Sequence, residues 1–206
     1  MFSNSFRCVV YIKIVEVPAV NQWSKKRSVM RRYDLTAQMY DQRYGEEQEA
    51  KYKAALEGLN ITPCSKVLDV GCGTGMFFNH VSEKADLVVG VDVSRQLLLQ
   101  AKKRAKEQCN VYVVQADADH LPLKTNCFDA VFAFTVLQNI PKPVETLVEI
   151  RRTAKHDAQI VVSGLKTAID IEVFSDLLQK AGLVVVSMRN EDALRCHVVT
   201  CVQDSK

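Results

Sequence analysis

The stretch KVLDVGCGTG, residues 66–75, constrains the fold of this chain more than any other. A run rich in apolar, β-branched residues is typical of a buried strand, and it leads through Asp69 into glycines at every second position, Gly71, Gly73 and Gly75. A glycine costs conformational entropy and leaves the main chain uncovered, so this spacing indicates positive φ angles or a molecule that touches the backbone. A tight turn alone would need only one glycine. The run therefore predicts a strand that ends in a ligand-binding loop.

Beyond this loop, apolar runs typical of strands alternate with amphipathic segments typical of helices. The strand-like runs are LVVGVD, VYVVQAD, FDAVFAF, AQIVVSGL, LVVVSM and HVVTCV. The helical segments are MFFNHVSEK, RQLLLQAKKRAKE, PVETLVEIRR and IEVFSDLLQKAG. Strands that alternate with helices form a parallel sheet with helices packed on its faces. The pattern therefore predicts an α/β fold with a single doubly wound sheet.

Two helical patterns precede the first strand. One face of the first pattern carries Tyr33, Ala37, Tyr40 and Tyr44. These spacings suit a helix, and we expect Gly45 to end it. A second amphipathic helix should follow and should end near Gly58.

The beginning of the chain lacks this periodicity. The run NQWSKKRSVMRR, residues 21–32, is rich in Lys and Arg, and we interpret it as a solvated linker rather than a phosphate-contacting patch. Because the helical pattern starts only at Tyr33, we expect residues 1–29 to be a peripheral extension that cofactor binding does not need. Residues 30–206 should then form the working domain.

Composition excludes several classes of protein. The chain has 206 residues, which suits one domain with a sizeable core, and its net charge of +3 favours neither nucleic acid nor an anionic membrane. Its seven cysteines form no CxxC pair, which favours a reducing compartment such as the cytoplasm and gives no metal-ligand spacing. We expect no membrane-spanning segment. Charges that interrupt the apolar start argue against a secretory signal and leave a transit peptide as the alternative.

The position of the glycine loop indicates what kind of ligand it holds. In a doubly wound sheet, ligands bind beyond the carboxyl ends of the strands, which is where this loop lies. The dinucleotide fingerprint GxGxxG requires glycine where this chain has Met76, and a Walker loop requires a GK[ST] ending that is absent here. Both phosphate-binding interpretations are therefore weak.

Aspartates that end successive strands favour a different ligand. Asp69 would attract an ammonium group, and Asp92 lies at the spacing where a carboxylate accepts both protons of a ribose diol. Asp117, after the third strand, could accept a proton from an adenine amino group. An amine, a ribose and an adenine, without phosphate, are the parts of S-adenosylmethionine.

The same residues resemble a known family, the class I S-adenosylmethionine-dependent methyltransferases, especially their small-molecule type-11 group. VLDVGCGTG is similar to motif I of this family, and GVDVS is similar to motif II. ADADHLPLKTNCFDAVFAFTVLQNIPKP resembles the stretch that covers the third and fourth strands. YDLTAQMYDQRY resembles the helix that covers the pocket as a lid. The resemblance extends over residues 33–202.

The resemblance implies a Rossmann-like sheet of seven strands, mostly parallel, with helices on both faces and an antiparallel last strand. It also implies that the methionine part of the cofactor lies against Asp69 and the glycine loop, the ribose against Asp92 and the adenine near Asp117. The cofactor-binding residues expected from it are Tyr33, Tyr40, Asp69, Gly71, Cys72, Gly73, Gly75, Asp92, Val93, Asp117, Ala118 and Phe134.

The catalytic residues are less well defined. Relatives often carry a histidine pair after the fourth strand, where this chain has Gln138 and Asn139, so a histidine base at this position is in doubt. No NPPY or DPPF motif follows that strand, so the usual apparatus for methylating a nucleobase amine is missing. The candidates that could contact an acceptor are Tyr40, Thr135, Gln138 and Asn139.

No motif in the sequence identifies the methyl acceptor. A small molecule is favoured by the resemblance. RNA or protein is suggested by the sparse cap over the pocket and by the basic run. A silent cofactor-binding subunit is the third hypothesis, and the sequence does not define the oligomeric state.

Overall fold

A computed structural model describes residues 20–204 of the chain, with side chains from Trp23 onward. Its α-helices are α1 (Val20–Thr36), α2 (Tyr40–Leu56), α3 (Phe78–Val81), α4 (Arg95–Ala105), α5 (Pro143–Thr153) and α6 (Ile171–Lys180). Its strands are β1 (Lys66–Val70), β2 (Leu87–Asp92), β3 (Val111–Gln115), β4 (Phe128–Phe134), β5 (Ala154–Leu165), β6 (Leu183–Arg189) and β7 (Cys196–Gln203). Short 3₁₀ turns cover Ala37–Met39, Ser82–Lys84 and Leu137–Asn139.

The strands form one seven-stranded sheet in the order β3-β2-β1-β4-β5-β7-β6. The pairs from β3 through β5 are parallel, and β7 is antiparallel to both of its neighbours. These findings confirm the predicted doubly wound sheet and its antiparallel last strand. The strand order reverses between β1 and β4, and a crevice opens at such a reversal beyond the carboxyl ends of the strands.

Helices cover both faces of the sheet because side chains alternate along each strand. Leu68 and Val70 of β1 belong to the buried cluster that contains Leu147 of α5 and Phe174 of α6. Val67, whose side chain points to the other face of the strand, belongs to the opposite cluster. That cluster is completed by Tyr52 of α2, Phe78 of α3 and Leu98 of α4. Asp69 shares the face of Val67, so the register of β1 directs its carboxyl group toward α2.

The N-terminal helices differ from the sequence prediction. The prediction that Gly45 ends a helix is wrong, because α2 continues through it to Leu56. A Cβ built at Gly45 would meet Met76 Cε at 3.6 Å, an ordinary contact, and packing of the whole helix outweighs the propensity of one glycine. The single helix predicted from Tyr33 is also divided by the 3₁₀ turn at Ala37–Met39.

The basic run is helical, since α1 begins at Val20. Our interpretation of the run as a solvated linker is wrong for Lys26, which is 8% exposed and forms ion pairs with two carboxylates. The boundary placed between residues 29 and 30 stays a prediction, and α1 crosses it. Residues 1–19 lie outside the described part of the chain.

No helix within residues 20–204 has the length and apolar character that a membrane crossing requires.

Candidate active site

A cavity lies beyond the carboxyl ends of β1, β2, β3 and β4, under α1 and the start of α2. We call it the strand-end cavity. Among the residues predicted to bind a cofactor, those that line it are Tyr33, Tyr40, Gly71, Gly73, Asp92, Val93, Asp117, Ala118 and Phe134. Two candidate acceptor-contacting residues, Thr135 and Asn139, also line it. Parallel strands bring residues distant in sequence to one edge, so this convergence follows from the topology.

Two glycines of the loop, Gly71 and Gly73, line this cavity in backbone conformations that favour glycine. Gly71 and Gly73 have φ angles of 75° and 56°, which glycine adopts with little strain. A Cβ at Gly71 would lie 2.4 Å from Val136 Cγ2, and the nearest atoms to a Cβ at Gly73 are those of the Tyr40 ring at 3.7 Å. The loop therefore presents bare main chain to the cavity and lets the Tyr40 ring pack close to it.

Gly75 and Cys72 do not line the strand-end cavity. A Cβ at Gly75 would lie 2.4 Å from the Phe78 ring, so close packing of α3 accounts for this glycine. Cys72 is 6% exposed and packs in the hydrophobic cluster under the loop. Burial raises the pKa of its thiol well above the ordinary value. Direct contact of either residue with a cofactor stays a prediction.

Asp92 connects the strand end to the glycine loop. Its Oδ2 accepts a hydrogen bond from the Gly73 amide at 2.9 Å, and its Oδ1 accepts one from the Ser94 amide at 2.8 Å. Burial raises the pKa of this carboxyl group, while the amide hydrogen bonds oppose that shift. Each carboxylate oxygen retains acceptor capacity toward the cavity, as a diol partner requires.

Asp69 is buried at the end of β1 and does not line the strand-end cavity, and its Oδ1 has no hydrogen-bond partner within residues 20–204. Burial, with a smaller contribution from the charge of Asp92, raises the pKa of Asp69 to about 8. A buried carboxylate without a partner is strongly disfavoured, so this group requires either a proton or a cation. An ammonium group of a ligand would satisfy it.

Asp117 has a partner that the sequence did not predict. Lys26 Nζ of α1 lies 2.6 Å from Asp117 Oδ2 and 2.5 Å from Asp119 Oδ2. Burial by itself lowers the pKa of Lys26, but the hydrogen bonds and charges of both aspartates raise it above the ordinary value. Lys26 also lines the strand-end cavity. The carboxylate predicted to face an adenine amino group therefore already holds a cation of α1.

Sequence reasoning missed Lys26, although a signal was present. Lys26, Val29 and Tyr33 line the cavity and are spaced as on one face of a helix. This face continues the pattern that we recognised only from Tyr33 onward. Extending the periodicity across the basic run would have predicted that Lys26 faces inward.

The loop after β4 carries the remaining candidates. Thr135 has a φ of 54°, which is strained for a β-branched residue, and its amide donates to Ser163 Oγ at 3.0 Å. Asn139 Nδ2 donates to Tyr33 Oη at 3.1 Å, which connects this loop to α1. Gln138 does not line the strand-end cavity, and its Oε1 is buried without a hydrogen-bond partner in the described chain. Local strain of this kind is common at functional sites.

Comparisons with known proteins agree with this geometry. A family model described as a methyltransferase domain matches residues 68–162. The fold is similar to a crystal structure of a SAM-dependent methyltransferase from Aquifex aeolicus, with a TM-score of 0.66 and 21% identity over 74% of this chain and 89% of that chain. Residues 68–162 therefore form a methyltransferase domain, and the fold of the chain is that of the class I S-adenosylmethionine-dependent methyltransferases.

Two curated relatives show how far the sequence similarity extends. A malonyl-[acyl-carrier protein] O-methyltransferase of Marinomonas sp. is 31% identical over 72% of this chain and 55% of the relative. A demethylmenaquinone methyltransferase of Staphylococcus saprophyticus is 34% identical over 56% of this chain and 51% of the relative. The chain thus spans about half the length of these relatives.

The family implies S-adenosylmethionine as the methyl donor, and the residues present fit it. The orphaned Oδ1 of Asp69 suits its ammonium group, and the main chain of Gly71 and Gly73 lines the cavity without a side chain of its own. Asp92 suits the ribose diol. No group of three or more His, Cys, Asp or Glu in residues 20–204 could hold a metal ion.

Proposed function

We propose that this protein transfers a methyl group from S-adenosylmethionine to a small-molecule acceptor. The observation that carries the proposal is the unpartnered Oδ1 of Asp69 beside the open backbone of the glycine loop. A buried acid in this state needs a cationic partner in order to ionise, and the carboxylate of Asp92 lies along the same edge of the sheet. S-adenosylmethionine carries both an ammonium group and a ribose diol.

The residues of the site act mainly by binding and orientation. Asp69 would hold the ammonium group, Asp92 the ribose, and Ala118 would pack near the adenine, while Phe134 lines the cavity at the end of β4. The bound cofactor supplies an electrophilic methyl group, so a nucleophile needs chiefly to be aligned with it. Alignment of two reactants can provide roughly 7–11 kcal/mol of the barrier reduction.

Tyr40 and Tyr33 would cover the bound cofactor. Tyr40 lies against the glycine loop, and its Oη accepts a hydrogen bond from Gln48 Nε2 at 3.2 Å. Burial, with the neighbouring charges, raises the pKa of Tyr40 far above the ordinary value, so this phenol stays neutral and does not serve as a base at neutral pH. Its contribution is to exclude water and to fix the nucleophile.

The acceptor class rests on the relatives. The two curated relatives are named for malonyl-[acyl-carrier protein] and for demethylmenaquinone. By analogy we assign a small-molecule acceptor to this chain, and the loop after β4, with Thr135 and Asn139, is the part of the strand-end cavity where it would approach the methyl group.

Two measurements test this function. Isothermal titration should give binding of S-adenosylhomocysteine, and tighter binding of NAD would overturn the assignment. Incubation with labelled S-adenosylmethionine and a fractionated cell extract should put the label into the small-molecule fraction. Label in RNA or protein would replace the proposed acceptor, and binding without any label transfer would support a silent cofactor-binding subunit.

An RNA acceptor is the second candidate, favoured by one surface. Lys25, Arg27, Arg31 and Arg32 of α1 are exposed. Arg32 donates to Asn139 at the cavity rim, so this basic surface lies beside the site. Phosphate contacts release counterions, so RNA binding that weakens steeply with salt concentration would favour this candidate. Binding that does not depend on salt, or none, would reject it.

A further inference from the structure

The strand-end cavity offers little positive charge to a ligand that carries a carboxylate. The charged residues that line it are Lys26, Asp92 and Asp117. Lys26 is already paired with two carboxylates, those of Asp117 and Asp119. S-adenosylmethionine carries a carboxylate beside its ammonium group. Because no unpaired cation lines the cavity in the described part of the chain, neutral hydrogen-bond donors would have to hold that carboxylate.

Two hydroxyl groups at this cavity are set up as such donors. Tyr40 and Thr135 both line it. Tyr40 Oη accepts a hydrogen bond from Gln48 Nε2 at 3.2 Å, and Thr135 Oγ1 accepts one from Lys51 Nζ at 3.4 Å. Neither hydroxyl donates to another group within residues 20–204. A hydroxyl hydrogen rotates to suit its surroundings, so both hydrogens are available to a ligand in the cavity.

Lys51 fixes this arrangement because an ammonium group can only donate hydrogen bonds. Lys51 is 2% exposed, and its Nζ lies 3.1 Å from Gln48 Oε1. The Gln48 amide must turn its oxygen toward Lys51, so its Nε2 faces Tyr40 and the phenol oxygen accepts. The same cation makes Thr135 Oγ1 an acceptor. A single buried lysine thus gives both hydroxyls the same role, with their hydrogens left for the cavity.

The other contacts of Lys51 do not change this arrangement. Glu47 Oε1 lies 3.6 Å from its Nζ, and the thiol of Cys196 also contacts it. Neither Glu47 nor Cys196 lines the strand-end cavity. The charge of Lys51 therefore lies one hydroxyl group away from the cavity. In a buried network such a charge polarises the hydrogen bonds that lead from it, so it strengthens the hydroxyls as donors.

We propose that Lys51 is a positioning residue for the methyl donor. Through Gln48, and directly at Thr135, it directs the hydroxyl hydrogens of Tyr40 and Thr135 to the carboxylate of S-adenosylmethionine. This inference rests on the proposed methyltransferase function. The Tyr40 ring packs close to Gly73, in the loop against which the amino-acid part of the methyl donor is expected to lie.

Gln48→Glu tests the direction of the Tyr40 hydrogen. A carboxylate only accepts, so one of its oxygens would accept from Lys51 and the other from the Tyr40 hydroxyl, which turns that hydrogen away from the cavity. The change keeps the shape of the side chain and adds a partner for Lys51, so the melting temperature should not fall. The affinity for S-adenosylhomocysteine, measured by calorimetric titration, should nevertheless fall at least about tenfold. Unchanged affinity would overturn the proposal.

A ligand without the carboxylate identifies the group that the hydroxyls hold. The decarboxylated analogue of S-adenosylhomocysteine keeps its adenine, ribose, sulfur and amine. The unaltered protein should bind the analogue at least about tenfold more weakly than S-adenosylhomocysteine, and Gln48→Glu should leave the affinity for the analogue unchanged. Equal affinities of the unaltered protein for both ligands would refute the carboxylate contact. Equal losses for both ligands in Gln48→Glu would show a general disturbance of the cavity and would also refute it.

Variants of Tyr40 separate the orientation of its hydrogen from the charge at position 48. Tyr40→Phe removes the hydroxyl and should lower the affinity for S-adenosylhomocysteine about as much as Gln48→Glu does. Because both changes remove the same hydrogen bond, the double variant should lose little more than either single variant. Fully additive losses would mean that the charge alone weakens binding, and would contradict the positioning role.

Matched lysine variants assign the effect to Lys51. Lys51→Met should weaken binding of S-adenosylhomocysteine, whereas Lys51→Arg, which also only donates, should retain most of the affinity. Lys53 is 74% exposed in its own pair with Glu49, so Lys53→Met should change nothing. Normal affinity in a folded Lys51→Met protein would contradict the proposal. Should that variant not fold, the comparison of the two ligands on the unaltered protein and on Gln48→Glu decides instead.

The two proposals fail separately. Absence of binding for both S-adenosylhomocysteine and its decarboxylated analogue would refute the methyltransferase function and this inference with it. Binding of both ligands with equal affinity would refute only the positioning of the carboxylate.

Discussion

At the scale of single residues, Asp69 and Asp92 lie at neighbouring strand ends but differ in their hydrogen bonds. Asp92 is bonded to two backbone amides, so it both shapes the loop and faces the cavity. Asp69 has an oxygen with no such partner within the described chain. Carboxylates that end neighbouring strands thus have different chemical states because their local hydrogen bonds differ.

The raised pKa of Asp69 predicts a pH-dependent stability of the ligand-free protein. An unfolded chain has an aspartate pKa of about 3.9, whereas burial raises that of Asp69 to about 8. As the pH rises between these values, the unfolded state loses its proton first, so the free energy of unfolding falls. Asp69→Asn removes this titration and should gain stability relative to the unaltered protein from about pH 5 to 8. Urea unfolding at several pH values measures the difference.

A ligand ammonium group should make the ionised form of Asp69 more favourable than the protonated form. Binding ionises Asp69, so the affinity for S-adenosylhomocysteine should rise with pH up to about 8, and Asp69→Asn should bind weakly with a flatter profile. Identical pH profiles for both proteins would show that Asp69 does not contact the ligand.

Asp92→Ala should weaken cofactor binding more than it weakens the fold. The change removes charge-assisted hydrogen bonds to the ribose, each worth roughly 1.5–3 kcal/mol, so affinity should fall at least tenfold. Because the Gly73 amide also loses its acceptor, we expect a modest drop in melting temperature. Calorimetric titration and thermal unfolding measure both effects. If the variant melts early but its folded fraction binds normally, Asp92 is only a structural cap.

At the scale of elements, α1 is attached to the sheet by polar contacts at both ends of the cavity. Lys26 pairs with Asp117 and Asp119 beyond β3. Asp34 accepts hydrogen bonds from Ser94 Oγ at 2.6 Å and from the Gln96 amide at 3.1 Å, at the start of α4. Polar attachments of this kind let a helix close over a cavity without being part of the apolar core, as a lid requires.

Lys26→Met should destabilise the protein, since it leaves two neighbouring carboxylates without their buried cation. A loss of at least about 1 kcal/mol is expected for breaking such a pair from one side. Lys25→Met, at an exposed neighbouring position, is the control and should change stability little. Thermal unfolding compares them, and equal melting temperatures would mean that the ion pairs contribute nothing.

The domain boundary has its own test at this scale. A chain that begins at Met30 loses Lys26 but keeps Tyr33 and Asp34, and we expect it to bind S-adenosylhomocysteine as the Lys26→Met protein does. A much weaker affinity than that of Lys26→Met would place earlier residues in the pocket.

At the scale of the whole molecule, ligand binding should stabilise the fold because the strand-end cavity exists only when the strands are assembled. At a concentration of 100 times its Kd, S-adenosylhomocysteine should add about 2.7 kcal/mol to the free energy of unfolding. For a domain of this size, that corresponds to a rise in melting temperature of roughly 5–10 °C. NAD at the same concentration should give no rise. A larger shift with NAD would contradict the absence of a dinucleotide fingerprint.

Much of the fold was predictable from the sequence because its signals are local. Alternating periodicities define the strands and helices. Parallel pairing then brings the carboxyl ends of the strands to one edge of the sheet, whatever their order. For this reason Gly71, Gly73, Asp92 and Asp117 could be predicted to meet at one edge, and all four line the strand-end cavity, whereas Asp69 and Gly75 do not. Seven strands with an antiparallel last strand came from family resemblance, and the sheet confirms them.

The tertiary structure alone decided which side chains complete the site. Lys26 meets Asp117 across a sequence separation of 91, and Lys51 meets Thr135 across one of 84. Gly45, a helix breaker by local propensity, lies inside α2 because packing of that helix outweighs the preference of one residue. The sequence by itself thus determined the sheet and its ligand-binding edge, through short-range periodicity. Long-range packing decided the buried cations, since no local pattern records which distant carboxylate or hydroxyl a lysine will reach.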